Sequence, residues 1–339
     1  MHLEKLQVPI TPAMQSTFTN PSGSIVDRSI KIVLSDPDNT ASRTDGLPAI
    51  MERHHRLHGT SLLASAGRLL KLNASTYASS CTIFHRYCRQ VSLKKMNVWS
   101  VAMASTLLAC KLEEETRPIR QVILIYARIY RKRRLVLCDD AESVVGDKHV
   151  AASELATSAT LQEKLSHLRH INPMSPFGPV YQEWYNEIIA TENKLLRQLG
   201  FTLYWIPDSH PHKFIIYFVE ALDIQKPDFC QRAWNYCNDS CRLDLCLRFA
   251  PEVIACSAIV LSARDCQVDL PVARDEICWW HLFVGDARDG ELSVIGNALL
   301  SLQIDCLPCT TRAFIPSVSG DAWNDPESYV WSVADSNVR

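Results

Sequence analysis

The chain has 339 residues and a hydrophobic fraction of 47%, which together predict two compact domains rather than one. Only 11 residues are glycine and the sequence contains neither GxxxxGKS/T nor GxGxxG, so the common phosphate-binding loops are excluded and a helical fold is favoured. The net charge of −2 creates no overall attraction to nucleic acid or membrane, and the apolar runs are too short to span a bilayer.

The first part of the chain is predicted to be a disordered segment followed by a helical domain. Residues 1–45 are rich in Ser, Thr, Pro, Asn and Asp and lack a hydrophobic period, so we predict disorder there. The helical domain is predicted over 46–205, with Asn73 as the N-cap of its second helix and Gly200 at the end of its fifth. Its predicted helices lie near 48–71, 74–91, 96–113, 117–134 and 180–199.

A stretch near 136–179 interrupts this domain. It has a mixed character and contains the chain breaks Asn172-Pro173 and Ser175-Pro176. Long loops inside compact domains are uncommon, and we interpret this one as a tolerated surface insertion.

A second helical domain is predicted over 206–305, and residues 306–339 are predicted to form an irregular tail because they show no period. The predicted helices of the second domain lie near 211–223, 228–244, 251–266 and 288–303, with a short fifth piece around 276–283.

Two ten-residue segments resemble each other. AMASTLLACK (102–111) aligns without gaps to ACSAIVLSAR (255–264), with small residues at matching positions and a cation closing each segment. Small residues throughout a helix let its neighbours approach closely, so each segment is predicted to lie in the central helix of a bundle. The alignment indicates either an internal duplication or two alanine-rich core helices that are alike by chance.

Longer segments resemble a known family. KLEEETRPIR (111–120) resembles the end of the third helix of a cyclin box and the entry to its fourth, and TENKLLRQLGF (191–201) resembles the fifth helix. HPHKF (210–214) and AWNYCNDSCRLDLCLRFAPEVIACSAIVLSAR (233–264) look much like the second box of the cyclin L family. The resemblance covers roughly 45–303.

The resemblance implies an all-α fold of two tandem five-helix cyclin boxes. It implies a regulatory subunit, without catalytic residues or cofactors, that binds and activates a cyclin-dependent kinase of the PITSLRE type. It also implies a nuclear role in transcription and pre-mRNA splicing. Members of this family commonly carry an Arg/Ser-rich tail, and residues 306–339 contain no such dipeptides; we therefore do not expect association with splicing factors through that segment.

The resemblance also assigns a kinase-binding site. In the cyclin pattern, Lys111 and Glu192 form a pair that hydrogen-bonds the kinase backbone beside its regulatory helix, and a cation with a carboxylate can satisfy both kinds of backbone group. An apolar groove around the pair would receive the kinase helix. The residues expected to supply it are Leu108, Leu112, Ile119, Ile123, Leu195 and Leu196, although a periodic Leu or Ile is more often a core residue.

Two further features concern basic residues. Arg56 resembles a first-helix arginine that braces the box, and its alternative is an ordinary surface position. The run Arg131, Lys132, Arg133 and Arg134 is locally basic in a nearly neutral chain. It could be a nuclear-import signal, an RNA-facing patch or a solvated helix end.

Two other classes of function remain as alternatives. The first is a cyclin-fold nucleic-acid-binding protein, similar to the general transcription factor IIB family, which would need a basic surface and an N-terminal zinc ribbon. Because the net charge is −2 and no CxxC pair occurs early in the sequence, we expect no direct nucleic-acid binding. A metal- or thiol-dependent enzyme could use Cys306 and Cys309 with Cys278 and His281. The 13 cysteines are scattered and odd in number, so we expect a reducing compartment and no bound metal.

Overall fold

The computed structural model of the chain describes residues 40–142, 174–207, 209–271, 279–284 and 289–305. Within these ranges the regular secondary structure consists of helices alone. The described residues form two compact units, the first unit (Ala41–Phe201) and the second unit (Thr202–Asp305). The predicted all-α fold with two tandem helical domains is therefore confirmed.

The first unit contains the longer helices. A short 3-10 turn, Leu93–Lys95, lies between its third and fourth helices. The helices are α1 (Ala41–Thr44), α2 (Ala49–Leu70), α3 (Ala74–Gln90), α4 (Val98–Leu112), α5 (Ile119–Glu142) and α6 (Pro179–Gln198).

The second unit contains six described helices. Two of them carry Pro in the first turn, where its missing N–H costs no intrahelical hydrogen bond. The helices are α7 (His212–Ala221), α8 (Pro227–Ser240), α9 (Leu245–Arg248), α10 (Pro251–Cys266), α11 (His281–Val284) and α12 (Asp289–Asp305).

The two segments of the sequence repeat lie on the central helices. In α4 every residue from Trp99 to Cys110 is buried, and the helix contacts α2, α3, α5 and α6. In α10 the run Val253–Ile259 is buried, and the helix contacts α7, α8, α9, α11 and α12. A helix that is apolar on all sides must be covered on all sides. The predicted central position of both helices is confirmed.

The first unit begins earlier than predicted. Ser42 on α1 is fully buried, and its hydroxyl accepts a hydrogen bond of 3.0 Å from the backbone N–H of Leu93. The prediction of disorder up to residue 45 is therefore wrong for residues 40–45. These residues are held by a polar contact, which a search for hydrophobic periodicity cannot detect. Residues 1–39 lie outside the described ranges.

Helix α5 continues beyond its predicted end at residue 134 and reaches Glu142. Between Leu135 and Ala141 there is neither glycine nor proline to stop it. The predicted insertion therefore begins with helical residues. Its central part, 143–173, lies outside the described residues, and so does the predicted irregular tail, 306–339.

No helix in the described ranges is long and apolar enough to cross a membrane.

Candidate functional site

Lys111 is the first exposed side chain after the buried length of α4. Residues 99–110 are buried without interruption, whereas 53% of the Lys111 side chain is exposed. Twelve residues turn through more than three helical turns, so this burial requires neighbours on every side. The exposure of Lys111 shows where the surrounding helices stop covering α4.

Glu192 lies on α6 and faces Lys111. Helix α6 begins at Pro179 and is stopped at Gly200, whose φ of 65° is the left-handed conformation predicted for that glycine. The Lys111 Nζ lies 2.6 Å from the Glu192 Oε1, and only 10% of the Glu192 side chain is exposed. The structure thus brings the two predicted residues together across two packed helices.

The pair has chemistry suited to a peptide backbone. An ammonium group has three N–H donors, of which one is directed at Glu192. The other donors of the half-exposed Lys111 are available to carbonyl oxygens of a partner. The nearly buried carboxylate in turn fixes the ammonium in position, because a carboxylate shielded from water depends on its charged partner.

The predicted apolar groove is only partly present at the surface. Leu112, Ile119 and Leu196 are partly exposed, whereas Ile123 and Leu195 are fully buried and Leu108 is 5% exposed. The prediction that these last three contact a kinase is corrected: they are core residues.

A glutamate that sequence reasoning missed holds the connection between α4 and α5. The Glu115 Oε2 accepts hydrogen bonds from the backbone N–H of Asn73 at 3.0 Å and from the Thr76 hydroxyl at 2.6 Å. Its Oε1 accepts one from Arg117 at 2.8 Å. We call these four residues the Glu115 cluster. Glu115 contacts the start of α3, where Asn73 is the N-cap residue as predicted, although the Asn73 side chain makes no capping hydrogen bond.

The same connection has a second contact with α3. Glu113, the residue that ends α4, accepts a hydrogen bond from the Ser79 hydroxyl. Between the two contacts, Glu114 adopts a positive φ of 55°, which is uncommon for a residue with a side chain. The connection between α4 and α5 is therefore held against α3 by both Glu113 and Glu115.

Arg56 is buried on α2. Its Nη2 donates to the Glu52 Oε1 at 2.8 Å, and the other oxygen of that buried carboxylate lies 3.5 Å from the Nε of Arg43 on α1. Arg56 and Glu52 are separated by one helical turn, and Glu52 joins α1 to α2. The surface alternative for Arg56 is excluded by its 7% exposure.

Comparison with known proteins identifies the family. The family described as the cyclin N-terminal domain matches residues 32–141. Cyclin-L1-1 of Arabidopsis thaliana is 32% identical over 255 residues, which cover 75% of this chain and 52% of that protein. Cyclin-L1 of Homo sapiens is 31% identical over 256 residues, covering 74% of this chain and 40% of the human protein. The chain belongs to the cyclin family.

The fold of this cyclin is also found in a solved structure. A chain from the crystal structure of the yeast RNA Pol II CTD kinase CTDK-1 complex superposes with a TM-score of 0.54 at 14% identity, over 92% of this chain and 91% of that one. At this identity the likeness concerns the fold. The cyclin spans about half the length or less of the cyclin L relatives named above.

The basic run of this cyclin is not a uniform surface patch. Arg133 donates to the Ser61 hydroxyl at 2.9 Å and lies 5.9 Å from the centre of the Trp99 ring. Burial lowers the pKa of Arg133 to about 10. Arg131 is partly buried and Lys132 is exposed, while the side chain of Arg134 is outside the described part. Arg133 therefore contributes to packing of the first unit.

Nine cysteines of this cyclin whose side chains the structure describes form no disulfide bond with one another. Burial raises the pKa of Cys88 to about 12 and that of Cys110 to about 11, so neither forms a thiolate near neutral pH. Among the described residues no group of three or more potential ligands could hold a metal ion. The alternative that uses Cys306, Cys309 and Cys278 falls outside the described ranges.

Proposed function

We propose that this cyclin is the regulatory subunit of a cyclin-dependent kinase of the PITSLRE type, which it binds and activates without a catalytic site of its own. The observation that carries the proposal is the Lys111–Glu192 pair, with its 2.6 Å separation at the exposed end of an otherwise buried helix. A rigid cation–carboxylate pair can bind a backbone loop. The partly exposed Leu112 and Leu196 lie on the same two helices as the pair, and the partly exposed Ile119 begins α5.

Activation would follow from rigidity. An active kinase needs its regulatory helix pushed inward so that a glutamate of that helix meets the catalytic lysine. A flexible cyclin surface could not hold the kinase helix in that inward position. Here Lys111 and Glu192 project from α4 and α6, and α4 is covered on every side over residues 99–110.

The proposal extends to transcription and pre-mRNA splicing in the nucleus. Support comes from the similarity to cyclin L proteins of plants and animals. These proteins are longer than the sequence matched here, so their partners outside the matched region are not carried over. A tagged chain that stays in the cytoplasm, or that copurifies with no transcription or splicing component, would contradict this part alone.

The test is binding and activation of a purified PITSLRE-type kinase. Lys111→Ala and Glu192→Gln should each weaken binding at least about 30-fold, since breaking a buried, hydrogen-bonded charge pair at an interface costs about 2 kcal/mol or more. Kinase activity at a fixed subsaturating concentration should fall with binding. Both free variants should remain folded, with some loss of stability because the Glu192 carboxylate is only 10% exposed, so the kinase affinities are compared below both melting temperatures.

Matched controls come from the same unit. Lys132→Ala and Glu183→Gln change the same charges at exposed positions and should bind like the parent. Unchanged binding by both site variants would overturn the site. Binding to another cyclin-dependent kinase but not to a PITSLRE-type one would overturn only the choice of kinase.

A further inference from the structure

The Glu115 cluster lies between two parts of the proposed site. Glu115 follows Lys111 by four residues and precedes Ile119, the first residue of α5, by four. The last carbonyls of a helix and the first N–H groups of the next have no intrahelical partners, so both helix ends fray unless other groups hold them. The connection between α4 and α5 must therefore be held from outside for Lys111 to keep its place.

The contacts of Glu115 are strong enough for this task. Its carboxylate accepts three hydrogen bonds, all between 2.6 and 3.0 Å, and the side chain is 14% exposed. Hydrogen bonds to a carboxylate are about twice as strong as neutral ones, and shielding from water preserves them. Two of the three donors belong to the start of α3, a helix that packs directly on α4.

These contacts join elements that are distant in the sequence. The Thr76 hydroxyl lies 39 residues before Glu115, and the Asn73 N–H lies 42 residues before it. Arg117 adds a local contact and also reaches the carbonyl of Lys71 at 3.4 Å, at the end of α2. The connection is thus tied to the α2–α3 corner, whose residues lie about 40 positions earlier in the chain.

We propose that Glu115 is a positioning residue: through its contacts with Asn73, Thr76 and Arg117 it holds the last turn of α4, so that the Lys111 ammonium stays against Glu192 and faces the kinase. Glu115 itself does not contact the kinase. This inference rests on the proposed function, because it predicts a change in kinase affinity that is transmitted through the contact of Lys111 with the kinase.

The test is a double-mutant cycle in kinase affinity. Glu115→Ala should weaken binding roughly tenfold in the parent, whereas in the Lys111→Ala background it should add less than about twofold, because residues that act through one contact are non-additive. A general loss of stability would lower affinity in both backgrounds alike. Equal losses in the two backgrounds, or no loss in the parent, would overturn the proposal.

Two further variants keep the test independent of a single substitution. Glu115→Gln retains an oxygen acceptor for Asn73 and Thr76 but loses the charge opposite Arg117, so it should lose about threefold in affinity, less than alanine does. Thr76→Val removes one donor at similar volume and should weaken binding in the same direction. Glu183→Gln is the control for the change of charge. A glutamine variant as weak as alanine would contradict positioning through acceptor contacts.

A measurement without kinase separates this inference from the proposed function. In the free chain, Glu115→Ala should accelerate amide hydrogen exchange over residues 109–113, whereas Glu183→Gln should not. If exchange accelerates but Lys111→Ala binds kinase normally, the kinase site is wrong and the positioning stands. If Lys111→Ala weakens binding while exchange is unchanged in Glu115→Ala, only the positioning role is overturned.

Discussion

The two units of this cyclin bury different kinds of side chain. In the second unit, the described residues include no buried Lys, Arg, Asp or Glu, and the buried polar side chains are histidines and serines. Its core is aromatic and aliphatic, with Phe229, Ile215 and Leu299 fully buried. The first unit differs. Its buried charged side chains are Glu52, Arg56, Arg86, Arg89 and Glu192.

The difference extends to aligned positions of the sequence repeat. Lys111 pairs with Glu192 on another helix, whereas Arg264, which aligns with Lys111, is 59% exposed and lies 3.4 Å from its neighbour Asp265. Both central helices are covered alike, but of the two aligned cations only Lys111 pairs with another helix. On α10 the interhelical contacts are made by the next residue, Asp265, which accepts a hydrogen bond from the Tyr236 hydroxyl of α8 at 2.6 Å and lies 3.8 Å from Arg232 of the same helix. Burying charges is costly unless they are paired. The similar helices thus maintain two bundles that differ in the charged side chains that they bury.

The largest expected difference in stability between the two units comes from substituting one helical glycine in each. A methyl group at Gly59 on α2 would overlap the ring of Phe84, whereas at Gly296 on α12 the nearest atom, of Leu261, is 3.9 Å away. Gly59→Ala should lower the free energy of unfolding of the first unit by about 3 kcal/mol or more. Gly296→Ala should raise that of the second by about 0.5–1 kcal/mol.

Hydrogen exchange of α4 and α10 amides can follow the two units separately in each variant. The comparison fails if Gly59→Ala leaves the protection of α4 unchanged, which would mean that Phe84 moves aside without cost. It also fails if Gly296→Ala destabilises α10.

A smaller effect is expected from one arginine in each unit. Arg56→Ala leaves the buried Glu52 without its 2.8 Å partner and should cost about 3 kcal/mol. Arg248 lies 3.8 Å from Asp244 at a more exposed site, so Arg248→Ala should cost less than about 1 kcal/mol. Urea unfolding of both variants gives the two values. If the two substitutions lowered the free energy of unfolding by similar amounts, the proposed difference between the buried pair of the first unit and the more exposed pair of the second would be wrong.

The third prediction concerns acid and applies to both units. Burial lowers the pKa of His58 in the first unit to about 3 and that of His212 in the second to about 4. Below the ordinary pKa of about 6.5, the unfolded chain therefore binds protons that the folded chain does not. The free energy of unfolding should fall with pH by about 1.4 kcal/mol per unit for each histidine, hence about 2 kcal/mol each between pH 6.5 and 5.

Substitution assigns this slope to each unit. His58→Gln should flatten the pH dependence of α4 exchange, and His212→Gln that of α10 exchange, whatever either variant does to stability at pH 7. Slopes equal to the parent in both variants would show that other groups cause the acid sensitivity.

The helices were predictable from the sequence where their ends carry local signals. The prediction for α10 matches its bounds, and Gly200 ends α6 as expected, because a proline or glycine acts on its immediate neighbours. Helix α5 ran past its prediction since no such residue follows the basic run. Positions Lys111 and Glu192 were predicted by resemblance alone, as composition gave no reason to pair residues 81 positions apart.

Other parts of the site could not be predicted because they depend on neighbours in space. Leu195 and Leu196 are adjacent and chemically identical, yet the first is fully buried and the second partly exposed. The burial of each depends on which helix packs beside α6. The contact of Glu115 with the start of α3 is similar. Asn73 is the N-cap residue, as its type predicts, but the carboxylate that accepts its N–H comes from a residue 42 positions later in the chain.

The buried thiols have a practical consequence. Cys110 is fully buried directly before the half-exposed Lys111, and Cys256 is fully buried on the central helix of the second unit. Alkylating reagents react with thiolates at accessible sulfur atoms, so neither cysteine should react until the bundle around it opens. Pulsed alkylation followed by peptide mass spectrometry can therefore time the opening of each bundle in unmodified protein, with Cys110 and Cys256 as native reporters.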